Sequence, residues 1–512
     1  MDYRVDANHS NKRIAKNTIF LYLRMIVTMT VGLYTSRVIL KTLGISDFGL
    51  YNVVGGFVAM LGFLNVTMAN GTQRFLSFTL GENNVEKLRA VFSNSLIIHI
   101  LITFIALLLA ETVGLWFVIN KLNIPEGREI AALLVYQFSI ITFAISVLQV
   151  PFLSSIVAHE RMNIYAYLSI YDAIMKLLIV YFVCKINYDK LVLYSIMICI
   201  VQLSCFFIYV AYCKKSFKEV TFRMVPNRKI LKEMTGFSIW TLVGSLGYTT
   251  NGEGINVLLN MFWGTAVNAA RGVAFQVNNV ILGFSRNFQV AANPQIVKLY
   301  AEGDVKGMTD LALRTSRLSG YLLLILMLPF FLGIEFILKI WLGKYPEETP
   351  LFLRIILLQS LIQSLAGPVV TVTHAGGKLK MPNLTGGLFI LSSLPVCYLA
   401  LRLGCSPGLV LLINIYPWLL ETFFDAYYAQ KYTGFSLKRF YNEVYLKVFF
   451  VSALSVGVSI LVTNYLHCEG FIKFLMSTFI CEFIVVALVV ILGLYPSERT
   501  SLLTGIKNKI RR

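Results

Sequence analysis

Residues Gly236–Gln295 read GFSIWTLVGSLGYTTNGEGINVLLNMFWGTAVNAARGVAFQVNNVILGFSRNFQVAANPQ. Two apolar runs within this stretch, about residues 237–261 and 267–292, are each long enough to cross a bilayer as a helix. They nevertheless carry Asn251, Glu253, Asn256, Asn260, Asn268, Arg271, Gln276, Asn278, Asn279, Arg286 and Gln289. Hydrocarbon does not solvate such groups, so they must face protein or a water-filled cavity. At about 100° per residue, Ser245, Thr249, Gly252 and Asn256 share one face of the first helix, with Glu253 and Asn260 at its margin. Arg271, Asn278, Gln289 and Asn293 share a stripe on the second, and Arg286 lies beside it. The stretch predicts a polar hairpin of two membrane helices. Two roles are open: lining a cavity, or hydrogen bonding between helices that serves stability alone.

The rest of the chain sets this hairpin in an apolar protein. Over 512 residues, 57% hydrophobic and only 14% charged residues, with a mean hydropathy of +0.71, exclude a soluble globular class and predict a polytopic membrane protein. The formal charge of +19 does not point to nucleic acid. The basic residues sit in short loops between apolar runs, as the positive-inside rule requires. The eight cysteines are scattered and form no CxxC, and the five histidines form no HExxH, so no metal or cofactor is expected. A GxxxxGK[ST] loop is absent from the sequence, which leaves ATP drive without support. The first apolar run is long, follows a polar stretch and lacks a small-residue cleavage site. It predicts a first transmembrane helix rather than a signal peptide.

Apolar runs recur along the chain as about 14 candidate spans, the second at residues 48–72, the fifth at 164–184, the ninth at 313–341 and the twelfth at 408–430. The longest connection, Lys214–Glu233, is basic and holds Pro226. The expected organisation is an N-lobe at 1–213, a cytoplasmic linker at 214–233, a C-lobe at 234–430, and two C-terminal helices with a basic tail at 431–512. With the N-terminus inside, only Lys41, Lys121, Arg128, Lys185, Lys190, Lys344, Arg402 and Lys473 fall in outer loops. That bias predicts both termini in the cytoplasm and an even number of spans, with 12 as the alternative count.

There is an internal echo at an offset of 220 residues, from Leu43-Gly44 to Trp263-Gly264. At the same offset Tyr51 meets Arg271, Gln73 meets Asn293 and Glu82 meets Glu302, and the loops LGENNVEKL and YAEGDVKGM correspond. An even number of spans per repeat makes the halves parallel, with a binding site between them.

The stretch Ser36–Glu82 holds Ser36-Arg37, then Leu43-Gly44, then Asp47-Phe48-Gly49-Leu50-Tyr51. It resembles the opening of the Wzx-type lipid-linked oligosaccharide flippases of the multidrug/oligosaccharidyl-lipid/polysaccharide (MOP) exporter superfamily, and the polar hairpin resembles the same family. The resemblance covers most of the chain and is strongest over 14–90 and 235–320. It implies an all-α polytopic membrane protein with two pseudo-symmetric six-helix lobes and two further C-terminal helices. It also implies alternating access and the passage of a polyprenyl-diphosphate-linked oligosaccharide across the bacterial inner membrane. A monomer among membrane lipids is expected, with H+ or Na+ as the candidate coupling ion, and no enzyme activity. A multidrug or small-molecule antiporter of the same superfamily is the alternative, and an intramembrane glycan polymerase or ligase a third.

Such a substrate needs cations against its diphosphate, for which the arginine fork is suited. Arg24, Arg37, Arg271 and Arg286 are the candidates, with Asn256, Asn278 and Gln289 for the glycan. Arg24 and Arg37 are equally readable as snorkelling side chains. Glu253 lies at a depth comparable to Arg271, so an ion pair is expected, either structural or broken as the lobes rock. Asp172 and Lys176, spaced i,i+4, predict a pair on one helix face that acts as a lock or in ion coupling. Glu421 and Asp425 share that spacing with like charges, which marks either a proton-coupling site or an interfacial position for Asp425. Pro417 is a candidate kink.

Overall fold

The computed structural model describes residues 3–81, 84–159, 161–221, 227–378, 380–465, 470–496 and 498–500. The described chain is helical almost throughout. In order come α1 (Tyr3–Ala59), α2 (Phe63–Gly81), α3 (Val85–Leu109), α4 (Leu115–Lys121), α5 (Glu129–Ala158) and α6 (Met162–Lys185). Then follow α7 (Lys190–Ser216), α8 (Arg228–Trp263), α9 (Thr265–Ala301), α10 (Val305–Leu342), α11 (Thr349–Ala375) and α12 (Lys380–Arg402). The last are α13 (Pro407–Ile413), α14 (Tyr416–Thr433), α15 (Leu437–Phe440), α16 (Leu446–Tyr465) and α17 (Gly470–Leu488). The protein is an all-α polytopic membrane protein.

Among the described residues, 11 helical stretches are long and apolar enough to cross a membrane. Three long helices fall outside that set: α2, α8 and α9. Two of these are the polar hairpin, and the third carries Asn65, Asn70 and Gln73. With them the helices make the expected series of spans.

The breaks between spans have local causes. Gly44 interrupts α1 at φ 78°, ψ 172°, and Gly264 separates α8 from α9 at φ 77°, ψ −171°. Only glycine adopts that conformation without a Cβ clash. Asn84 caps α3 by accepting the Lys87 N–H at 2.9 Å, and Asp304 caps α10 by accepting the Gly307 N–H at 2.8 Å. The glycine pair and the cap pair stand at the one offset that the sequence echo shows, so the repeat extends to backbone conformation.

Several boundaries differ from expectation. The second span is not confined to 48–72 but runs from the Gly44 break through a 3₁₀ turn at Met60–Gly62 to Gly81. The 214–233 connection is shorter, because Asn227 caps α8 on the N–H groups of Lys229 and Ile230. Pro417 does not kink a continuous helix. The helix ends at Ile413 and restarts at Tyr416 with Pro417 in its first turn, where the missing N–H costs nothing. Between α3 and α4 the chain makes a π turn at Ala110–Gly114, and the Tyr136 hydroxyl donates to the Ala110 carbonyl there at 2.7 Å.

The chain divides into two compact units: Met1–Gly272 with Ile390–Pro407, and Val273–Phe389 with Gly408–Arg512. In the first, Leu50, Val53, Val54 and Val58 pack on Ala132, Val135 and Tyr136, and Leu76, Phe92, Phe152 and Ile156 form another apolar cluster. Three connections between these helices are tied by charge. The Arg128 guanidinium donates to Asp47 at 2.6 and 3.0 Å and also bonds Asp189. In the second unit α10 packs on α11 and α11 on α14. Gly320 lets Leu365 and Val448 approach α10, and Gly333 does the same for Phe474.

Candidate functional site

The Asp47-Phe48-Gly49-Leu50-Tyr51 segment opens the helix that follows Gly44. Asp47 is held by Arg128, Leu50 is fully buried, and the Tyr51 ring meets Tyr194 edge-on at 5.0 Å. Gly49 is present for space. The Thr265 carbonyl oxygen lies 1.9 Å from where a β-carbon on Gly49 would sit. One turn on, Asn52 faces Gly272, where a β-carbon would lie 2.9 Å from the Asn52 amide carbon. The starts of the second and eighth spans are thus in backbone contact inside the first unit.

On this contact stands a ladder of asparagines. Asn256 Nδ2 donates to the Asn52 carbonyl at 3.1 Å. Asn268 Nδ2 donates to the backbone carbonyl and Oδ1 of Asn256 at 2.7 and 2.8 Å. Asn260 Nδ2 donates to Asn268 Oδ1 at 3.0 Å, and Asn260 Oδ1 accepts the Asn123 N–H at 2.8 Å. Asn256, Asn260 and Asn268 are buried. Asn251 donates to the Ile390 carbonyl and to Ser393, fixing α12. Buried amides unable to reach water must find such partners.

Arg271 and Glu253 border the ladder. Arg271 is 6% exposed and donates from Nη2 to the Gly252 carbonyl. Glu253 turns towards Gly56, where a β-carbon would stand 2.4 Å from Oε2. The Glu253–Arg271 ion pair stays an expectation; the structure shows that Arg271 also engages the carbonyl that Gly252 leaves open. Asn256 is likewise committed to protein partners rather than to a cavity.

The second unit treats its polar residues in the same way. Asn278 is buried and accepts from the Ser360 hydroxyl at 2.6 Å, and buried Gln289 donates to the Ser364 carbonyl at 2.7 Å. Both were expected against glycan; here they fasten α9 to α11. Arg286 on α9 is exposed. Glu421 and Asp425 are 6% and 8% exposed, and the Asp425 carbonyl accepts from Thr373 at 3.2 Å. In the first unit Arg37 is exposed, and the Arg24 guanidinium stacks on Tyr165 at 4.6 Å. Asp172 and Lys176 pair at 2.8 Å, half-exposed, as their spacing predicts.

The structure thus brings Asn256, Glu253 and Arg271 together, and holds Asn278 with Gln289 along another helix. The sequence reading missed Asn52, Asn123 and the Arg128 clamp. Asn52 and Gly272 stand at the 220-residue offset of the echo, which relates their positions but did not announce their contact. Among the described residues no group of three or more His, Cys, Asp or Glu is placed to hold a metal ion.

No family model matches the sequence. The uncharacterized membrane protein EpsK of Bacillus subtilis (strain 168) is 22% identical over 304 residues, 58% of this chain and 59% of that protein. The match thus spans less than two thirds of that relative's length. Among solved structures, the lipid II flippase MurJ in its inward closed conformation superposes with a TM-score of 0.71 at 14% identity, covering 92% of this chain and 98% of its own. An inward-facing multidrug resistance MATE family transporter of the MOP superfamily gives 0.67 at 13% identity, covering 80% and 99%. The chain has the MurJ and MATE fold. The asparagine ladder fastens helices within the first unit.

Proposed function

We propose that this chain is a flippase that carries a polyprenyl-diphosphate-linked oligosaccharide across the bacterial cytoplasmic membrane by alternating access. The reading has residues 1–213 and 234–430 as lobes, 431–512 as a C-terminal addition, and both termini in the cytoplasm. The observation that carries it is the likeness to a lipid flippase along 92% of the chain, against 80% for the transporter of multidrug class. The chemistry of the exposed cations agrees. A drug cation calls for a carboxylate-lined site, whereas exposed Arg37 and Arg286 suit the oxygens of a diphosphate.

In this mechanism Arg37 is a cation that α1 offers to the diphosphate and Arg286 one that α9 offers, Arg24 presents a guanidinium braced on Tyr165, and Arg271 positions the hairpin. Asn256, Asn278 and Gln289 keep the moving helices intact. Glu421 and Asp425, two buried carboxylates one turn apart, are the coupling site for H+ or Na+, since burial disfavours two negative charges at that spacing. Asp172–Lys176 is a lock on α6.

Deleting the gene in its own host tests the reading. The lipid-linked glycan should accumulate on the cytoplasmic leaflet and the surface polymer should fall. Unchanged surface glycan, with altered resistance to cationic drugs, would favour the antiporter.

A further inference from the structure

A cleft of about 410 Å³ in the second unit is lined by Asp310, Leu313, Arg314, Arg317, Arg439, Glu443, Tyr495 and Glu498. It lies where the head of α10, the start of α15 and the segment after α17 meet. The positive-inside bias assigns all three chain ends to the cytoplasmic side.

The charges there do not cancel. Glu498 Oε1 accepts from Arg317 at 2.6 Å and lies 3.4 Å from Arg314, while Oε2 accepts the Tyr495 N–H at 2.9 Å. One carboxylate therefore serves two guanidinium groups. Arg439 uses up both Asp310 and Glu443, at 2.7 Å each. The Tyr495 ring carries two cations, Arg317 at 4.4 Å and the Lys447 ammonium at 3.9 Å. Among the described residues, Arg314, Arg317, Arg439 and Lys447 thus face Asp310, Glu443 and Glu498. Arg317 is 2% exposed, yet its Nε has no acceptor among the described residues. A buried donor without a partner is rare and calls for one. Arg314, at 53% side-chain exposure, stands at the mouth.

We propose that this cleft binds a phosphate group, with Arg314 and Arg317 as its principal ligands. Phosphate offers acceptor oxygens to a guanidinium fork, and its charge offsets the surplus cation. The inner-leaflet position points to the phosphodiester headgroup of an anionic lipid, and free phosphate shares the chemistry. The site is independent of what the protein transports.

The test uses the full-length protein in phosphatidylcholine nanodiscs doped with phosphatidylglycerol. Lipid retained after detergent extraction is counted by native mass spectrometry, and inorganic phosphate is titrated by calorimetry in parallel. Wild type and Lys306→Gln, a control at the exposed end of α10, should retain phosphatidylglycerol selectively. Arg314→Gln should bind it tenfold or more weakly, as loss of a charge-assisted bond implies, with an unchanged melting temperature in pure phosphatidylcholine. Saturable phosphate binding that Arg314→Gln abolishes, without lipid selectivity, would support the site and assign it to a soluble ligand. Equal lipid retention by wild type and Arg314→Gln, with no phosphate binding by either, would overturn the proposal. Arg317→Gln is a second variant, read only where its melting temperature matches wild type.

Discussion

Asn52 and Gly272 occupy equivalent places in the two halves of the sequence, and they touch. A β-carbon on Gly272 would come within 2.9 Å of the Asn52 amide carbon. Their separation in the chain is the 220-residue offset of the sequence echo. A few residues before Asn52, Gly49 gives the same helix its closest approach to Thr265.

Packing at this crossing should tolerate no added carbon where backbone is the neighbour. Gly49→Ala places a methyl 1.9 Å from the Thr265 carbonyl oxygen, whereas Gly55→Ala meets nothing within 4 Å. Overpacking costs about 1–3 kcal/mol. Gly49→Ala should lower the melting temperature and membrane level, and Gly55→Ala should leave both unchanged or slightly raised. Equal melting curves for the two would remove the close-approach argument.

The ladder makes a prediction about stability rather than transport. Asn268→Ala removes three hydrogen bonds, leaving Asn256 Oδ1 without that donor and Asn260 Nδ2 with only the Asn123 carbonyl at 3.3 Å, at about 1–3 kcal/mol for a buried group left unpaired. Protein abundance should fall, and transport per molecule of surviving protein should hold. A well-expressed Asn268→Ala protein that has lost transport would return these asparagines to the substrate path.

Charge ties three loops of the first unit. Burial alone would raise the Asp189 carboxyl, but hydrogen bonds from Arg128 and from the N–H groups of Val192 and Leu191 outweigh it and hold it below the usual carboxylate range. A depressed folded value contributes stability above the unfolded value of about 3.9, lost as pH falls through the lower folded one. Wild type should therefore lose melting temperature more steeply than Arg128→Gln on acidification below about pH 4. Parallel profiles would show that the clamp contributes nothing.

Topology follows from the same clamp, which gathers three loops that the positive-inside bias puts outside. Reporter fusions after Lys121, Asp189 and Gly343 should read outside, and fusions after Lys378 and Lys438 inside. A fusion that reads on the other side breaks the assignment of spans.

What was legible in the sequence was legible for physical reasons. Gly44 and Gly264 showed because a positive φ excludes other residues. Asp172–Lys176 showed because i,i+4 spacing fixes neighbours on one helix. Arg271 was read as a partner of Glu253, and the Gly252 carbonyl that its guanidinium also engages was not foreseen. Helix spacing gives height and face, not which of two nearby acceptors is sterically open, and Gly252 offered a bare carbonyl. The Arg128 clamp was illegible because it joins Asp47 and Asp189 across two other spans, with no local pattern to announce it. Arg24 was split between cavity and interface, and its ring partner Tyr165 lies on a helix that no spacing rule connects to it.

The central claim is transport of a lipid-linked diphosphate glycan, and reconstitution tests it most directly. Purified protein in liposomes loaded with a polyprenyl-diphosphate oligosaccharide should make the glycan on the inner leaflet accessible to an added impermeant lectin. Empty liposomes should not, and an Arg37→Gln, Arg286→Gln double variant with wild-type melting temperature should be slowed at least tenfold, with lysine at both positions restoring part of the rate. A lectin-accessible fraction equal to that of empty liposomes, from protein that melts normally, would contradict the account.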